Sequence, residues 1–258
     1  MASVTAKSIK RTQRFADDYL PESDGEPMAE TDVHRKQMIA LLEGLESYYR
    51  DDPNIYVTGN IFLYLPREEG ERTALSPDIF VVKGVAKKDR RIYDLEVEKK
   101  APDLVIELTS RSTHIEDLGN KRVIYAKLGV KEYFIFDPLL EAFTSPLRGY
   151  RLENGDYLPM MGARLHSEVL GLDLVVEEGM LRLQNPQTGE RLLNHEEFEA
   201  ARRAAEMKAA AEAAARLEAE AARHQAEAKA TAEKTARLAA EAENLRLREA
   251  LARLQKQA

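Results

Sequence analysis

The sequence predicts an α/β domain followed by a long separate helix. Two observations carry this. Short β-branched and aromatic runs, SPDIFVV (76–82), PDLVIELTS (102–110) and KEYFIFDP (131–138), alternate with segments whose apolar residues recur at helical spacing. At about Glu196 the composition then changes to one in which roughly two residues in five are Ala, interleaved with Glu, Arg and Lys, with no Gly or Pro to the end.

Bulk composition narrows the setting. A chain of 258 residues has ample length for a core. Without cysteine it forms no disulfide and no thiolate metal site, which suits a reducing compartment. No apolar run approaches the roughly 18 residues of a membrane span, and no signal-peptide core opens the chain. A cytoplasmic protein without a membrane partner is the expectation. The formal charge of −7 falls on the first 195 residues, because the tail holds about 12 basic and 12 acidic groups. A metal-free nucleic-acid binder usually carries a basic footprint. That footprint is missing from these totals.

Residues 1–25 read as a loosely ordered arm, pinned if at all by Phe15, Tyr19 and Leu20. Thr31 or Asp32 can cap a helix to about Tyr49, with Met38, Leu41, Leu42, Leu45 and Tyr49 on one stripe. NIYVTGNIFLYL (54–65) alternates like a strand, or a hairpin about Gly59-Asn60. KKDRRIYDLEVEKK has no clear core pattern and reads as a loop or edge segment. Thr113 and Glu116 have capping-box spacing for a helix to about Leu128, closed by Gly129. From about Phe143 to Leu193 short alternating runs separated by Asn154-Gly155 and Gln187-Thr188-Gly189 predict an antiparallel meander. Residues 196–258 form the helical tail. Leu238 and Leu245, and Leu247, Leu251 and Leu254, give about two heptads of coiled-coil spacing in two phases.

The candidate site begins with two misplaced charges. Glu107 stands between Ile106 and Leu108 in a strand that should be buried, and Asp78 opens the run of Ile79–Val82. An unpaired carboxylate in such a place costs several kcal/mol or more. Lys121 lies three residues after Leu118 and four before Tyr125, on the inward stripe of the next helix, with Asp117 one turn earlier at its edge. Two acids with a lysine nearby suit phosphodiester hydrolysis: carboxylates hold a divalent cation, and the lysine orients water or stabilises charge. Equally, Asp78 can cap the turn after Pro77 while Glu107 pairs with Lys121 and no metal binds. The five histidines show no ligand spacing.

Taken together, SPDIFVV, PDLVIELTSRST, the D-x-x-x-K-x-x-x-Y of Asp117, Lys121 and Tyr125, and LGVKEYFIFDP resemble the Uma-two family of restriction-endonuclease-like proteins, in the PD-(D/E)XK nuclease superfamily. The resemblance covers about residues 26–195. It implies a restriction-endonuclease-like mixed central sheet flanked by helices. It also implies Asp78 and Glu107 as catalytic metal ligands for Mg²⁺, with Mn²⁺ as substitute. The superfamily's lysine position, two residues after the second acid, is Thr109 here, so the resemblance shifts that role to Lys121. Glu30 or His34, near the first helix, and Asp117 and Tyr125, are the accessory candidates. The expected activity is Mg²⁺-dependent hydrolysis of DNA, by a homodimer or higher oligomer. The alternative is a catalytically silent nuclease fold that serves as an interaction module through its tail.

Overall fold

The computed structural model describes residues 20–22, 31–67, 72–111 and 113–255, with side chains to 248. Glu30 lies outside the described residues, as do Phe15, Tyr19 and the side chains of Leu251 and Leu254. The fold is mixed α/β, and the described residues divide into two compact units, one ending at Glu197 and the other starting at Phe198.

The first unit is built on a six-stranded mixed sheet. Its strands are β1 (Ile55–Thr58), β4 (Ile79–Lys83), β6 (Leu104–Leu108), β7 (Glu132–Phe136), β8 (Leu147–Glu153) and β9 (Asp156–Met160), in that spatial order. Only β6 and β7 run parallel within it; the other neighbours are antiparallel. A parallel pair needs a crossover. Here the crossover is helical: α3 (His114–Glu116), a π-helical turn (Asp117–Lys121) and α4 (Arg122–Leu128). Gly129 closes it with a positive φ of 80°, the conformation glycine adopts most readily.

Strand alternation sorts the core into two layers. Leu104, Ile106 and Leu108 face a cluster with α1 (Asp32–Tyr48) and with an antiparallel sheet of β10 (Arg164–Ser167), β11 (Leu172–Glu177) and β12 (Met180–Gln184). Thr31 caps α1 by accepting a hydrogen bond from the His34 amide. Buried Gln37 ties α1 to β12, donating to the Leu181 carbonyl and accepting from its amide. Val105, together with Phe80, Val82, Tyr133 and Ile135, faces the opposite cluster with Tyr125 of α4.

Three local expectations fail for identifiable reasons. Residues 54–65 make no hairpin: β1 joins the large sheet, while β2 (Leu63–Tyr64) joins a small one with β3 (Ala74–Leu75) and β5 (Tyr93–Asp94). The segment around residues 87–100 does carry core positions, Tyr93 and Leu95, the latter opening the one-turn helix α2 (Leu95–Glu98). The capping box does not form, because Thr113 Oγ1 accepts from the Ser110 amide instead. The Asn154-Gly155 turn joins β8 to β9 as an antiparallel hairpin.

The second unit belongs to α5 (His195–Gln255), whose residues 201–248 are exposed throughout. Among the described residues no helix is long and apolar enough to cross a membrane.

Candidate active site

The register of β4 and β6 decides where the two acids point. Ile79 pairs with Ile106 and Phe80 with Val105, so Asp78 stands opposite Glu107 one step further along the antiparallel ladder. Both therefore emerge on the face that carries Val105 and Phe80. They also hold each other's strands. Asp78 Oδ2 accepts the Leu108 amide at 2.7 Å, and the Asp78 amide donates to Glu107 Oε2 at 3.4 Å.

The crossover from β6 to β7 supplies the rest. Its π turn places Asp117 and Lys121 over the same sheet face. Lys121 Nζ lies 3.1 Å from Glu107 Oε2 and 3.0 Å from Asp117 Oδ1. Thr109, two residues after Glu107, donates its hydroxyl to Asp117 Oδ2 at 2.7 Å. Asp117 therefore ties the threonine on the β6 side to the lysine on the crossover. It is 1 % exposed and sits deep in the cluster rather than at the helix edge. Tyr125, fully buried one turn further on, donates to Glu107 Oε1 at 2.7 Å. From α1, the His34 imidazole Nε2 lies 3.3 Å from Asp78 Oδ1.

Burial sets the protonation states. Glu107 is 1 % exposed, and loss of solvation pushes its carboxyl well up. The neighbouring Lys121 ammonium pulls it down, while Asp78 and Asp117 push it further up. Burial alone would pull the Lys121 ammonium down. Glu107, Asp117 and Asp78 around it outweigh that effect and hold the ammonium above the usual lysine range. Tyr125 stays a neutral donor, since burial and the nearby Glu107 both raise its phenol.

Beside this cluster lies an open cleft of about 600 Å³ whose lining includes His34, Asp78, Asp117, Lys121, Arg111 and Leu139, while Glu107 and Tyr125 are buried behind its wall. Among the described residues no group of three or more His, Asp or Glu is arranged to hold a metal ion. The donor chemistry nonetheless fits a hard cation. The carboxyl groups of Asp78, Glu107 and Asp117 surround one ammonium, and all offer oxygen. Mg²⁺ is commonly held by one or two carboxylates while keeping several waters. Asp78 and Glu107, meeting across one ladder step, are the residues that could hold it. Sequence reasoning undervalued Asp117 and missed Ser110, Arg111 and Leu139 on the cleft wall. Helical spacing puts Asp117 only at the edge of the Lys121 face, which hides the central place of the first. The others sit on turns with no periodicity to betray them.

The site thus sits on a mixed α/β sheet, with acids on adjoining strands and a lysine on the crossover. A family profile described as "Putative restriction endonuclease", Uma2, matches residues 17–179. The chain belongs to this family, and a nuclease function in the general sense goes with it. Among solved structures it is similar to a putative nuclease belonging to DUF820 from Anabaena variabilis ATCC 29413. The identity is 16% and the TM-score 0.42, covering 58% of this chain and 86% of that one. No curated protein matches the chain.

Proposed function

We propose that this protein is a divalent-cation-dependent DNA endonuclease that hydrolyses phosphodiester bonds with water. The observation that carries the proposal is the Lys121 ammonium 3.1 Å from Glu107, with Asp78 facing Glu107 across the ladder. Asp78 and Glu107 would hold the cation, Mg²⁺ or in its place Mn²⁺. Once bound, that cation supplies Lewis acidity toward the phosphate and acidifies a water.

The chain's own groups do the rest. Lys121 keeps its proton, so it acts as a donor that orients water or a phosphate oxygen and offsets developing charge, not as a general base. Asp117 and Thr109 hold Lys121 in place, and the Tyr125 hydroxyl fixes Glu107 through Oε1, leaving Oε2 toward Lys121. His34 on α1 stands beside Asp78, its Nε2 3.3 Å from Oδ1. Arg111 on the cleft wall offers a cation to a flanking phosphate. The chain is acidic overall, at −7, so binding of DNA in the cleft depends on the divalent ion.

The test is cleavage of plasmid and single-stranded DNA with Mg²⁺ or Mn²⁺ by wild type, Asp78→Asn and Lys121→Met. The expected result is cleavage by wild type that requires the ion and is lost in both variants. Cleavage by wild type in chelator, or undiminished cleavage by either variant, would overturn the assignment. The exposed length of α5 supports self-association through the tail, which would present two such sites to one duplex.

A further inference from the structure

Immediately after β7, whose neighbour β6 carries Glu107, the chain makes a tight turn over Asp137–Leu140, closed by the Leu140 amide donating to the Asp137 carbonyl. The tip of this turn is apolar and open to solvent: Leu139 is 48 % and Leu140 55 % exposed. Leu140 also has a φ of 53°, a left-handed conformation that a leucine pays for in steric strain. Such strain persists only where the surroundings enforce it. Here they do: the fully buried Asp137 carboxylate accepts three backbone amides, from Glu141, Ala142 and Phe143. Phe143 is in turn packed edge-on against His114 and under Arg148. Two leucines are thus held about half-exposed on a strained turn. Leu139 lines the same cleft as Asp78, Asp117 and Lys121.

An aliphatic tip beside a phosphate site has nothing to offer the sugar-phosphate backbone, which is charged. It suits the faces of bases. Apolar side chains that enter a base step unstack it and kink the duplex, which is easiest where the step is already weakened. We propose that the Leu139–Leu140 turn is a wedge that enters the base stack next to the phosphate held in the cleft. The preferred substrate is then DNA with an unstacked or unpaired nucleotide beside the scissile bond. This inference rests on the nuclease reading of the cleft, and it adds the substrate class.

The experiment compares full-length wild type with a Leu139→Ser/Leu140→Gly variant, whose glycine accepts the left-handed φ so that the turn keeps its path. Substrates are a fully paired duplex, the same duplex with a one-nucleotide bulge, and a single strand, each with 2-aminopurine at the central step. Binding is read by fluorescence with Ca²⁺ and cleavage with Mg²⁺ or Mn²⁺. For wild type, a rise in 2-aminopurine emission on binding is expected, with cleavage of the bulged duplex about tenfold faster than of the paired one. The variant should lose both the emission rise and the preference while still cutting the single strand.

Equal preference in wild type and variant overturns the wedge while leaving the nuclease reading intact. An emission rise that the variant loses, without cleavage of any substrate by wild type, overturns the nuclease reading and leaves the wedge. No binding of wild type to any of the three DNAs overturns the wedge as well. If instead wild type sediments as a larger species than the variant and their DNA behaviour is the same, the turn docks on another copy of the chain, and the wedge is rejected.

Discussion

Replacing Lys121 by methionine, which has a similar length and no charge, removes the counter-ion from between Glu107 and Asp117, each 1 % exposed. Breaking a buried ion pair by deleting one partner costs about 3–5 kcal/mol. In a domain of this size each kcal/mol moves the melting temperature by about 2–4 °C, so a loss of about 6–20 °C is expected. The fold can soften the penalty by protonating Glu107, whose carboxyl burial already raises and whose rise grows when the ammonium is gone. The sign follows from linkage. Between the ordinary glutamate value of 4.5 and the raised folded value, the folded chain holds more protons than the unfolded one. Stability is therefore fullest below the ordinary value and is lost as pH rises through the folded one. The gap between wild type and Lys121→Met should be narrow near about pH 5 and widest above about pH 8. Urea titrations in chelator across this range measure it, and a Glu107→Gln/Lys121→Met double variant should recover much of the loss. Equal urea midpoints for wild type and Lys121→Met at every pH would mean that Lys121 is no partner of these carboxylates, and the site would lose its cation.

Two further outcomes follow from the site and the tail. If Asp78 and Glu107 share an ion, Mn²⁺ at a hundred times its Kd should stabilise wild type by about 2.7 kcal/mol. Asp78→Asn should be at least as stable as wild type without metal, since it relieves repulsion with Glu107, and should gain less from Mn²⁺; equal gains in melting temperature would count against a shared ion. Ending the chain after Glu197 should leave the first unit folded, because its strands already carry the buried apolar positions. Sedimentation should show the full chain as a dimer or larger and the shortened one as a smaller species. Identical species would remove α5 as an oligomerisation element.

What could be read from the sequence was what strand and helix periods control. Asp78 and Glu107 stand out because each is charged within an apolar run, and two-residue alternation puts them on one face. Lys121 stands out on a helical stripe, although the stripe assumed a regular helix and the chain makes a π turn from Asp117 to Lys121. That turn moves Asp117 from the edge to the centre of the cluster, a change that periodicity cannot anticipate. Glu132 shows the same argument left unused. It is an acid in a buried strand, held by Arg151, Ser167 and two backbone amides. Arg151 lies 19 residues away on β8 and the others 35 to 37 away on β10 and the turn after it, so only the fold reveals that it is satisfied. Tyr93 and Leu95 were invisible because strands of two residues and a helix of four are too short to show a period. The Asp137 clamp was hidden likewise, since it acts on backbone amides that carry no sequence signature.

Gly59 has no group to offer the chemistry, yet it governs where Asp78 stands. A Cβ at this position would lie 1.9 Å from the Asp78 carbonyl oxygen, so the chain leaving β1 passes directly against the peptide that carries the first acid. The neighbouring Asn60 amide donates to the Pro77 carbonyl and keeps the two segments together. Any side chain at Gly59 must lever this peptide away and, with it, swing Asp78 out of line with Glu107. Tolerance to mutation in this protein is therefore uneven in an unintuitive way: the loss of a hydrogen atom's worth of space beside the sheet can disarm the cleft as thoroughly as the loss of a carboxylate inside it.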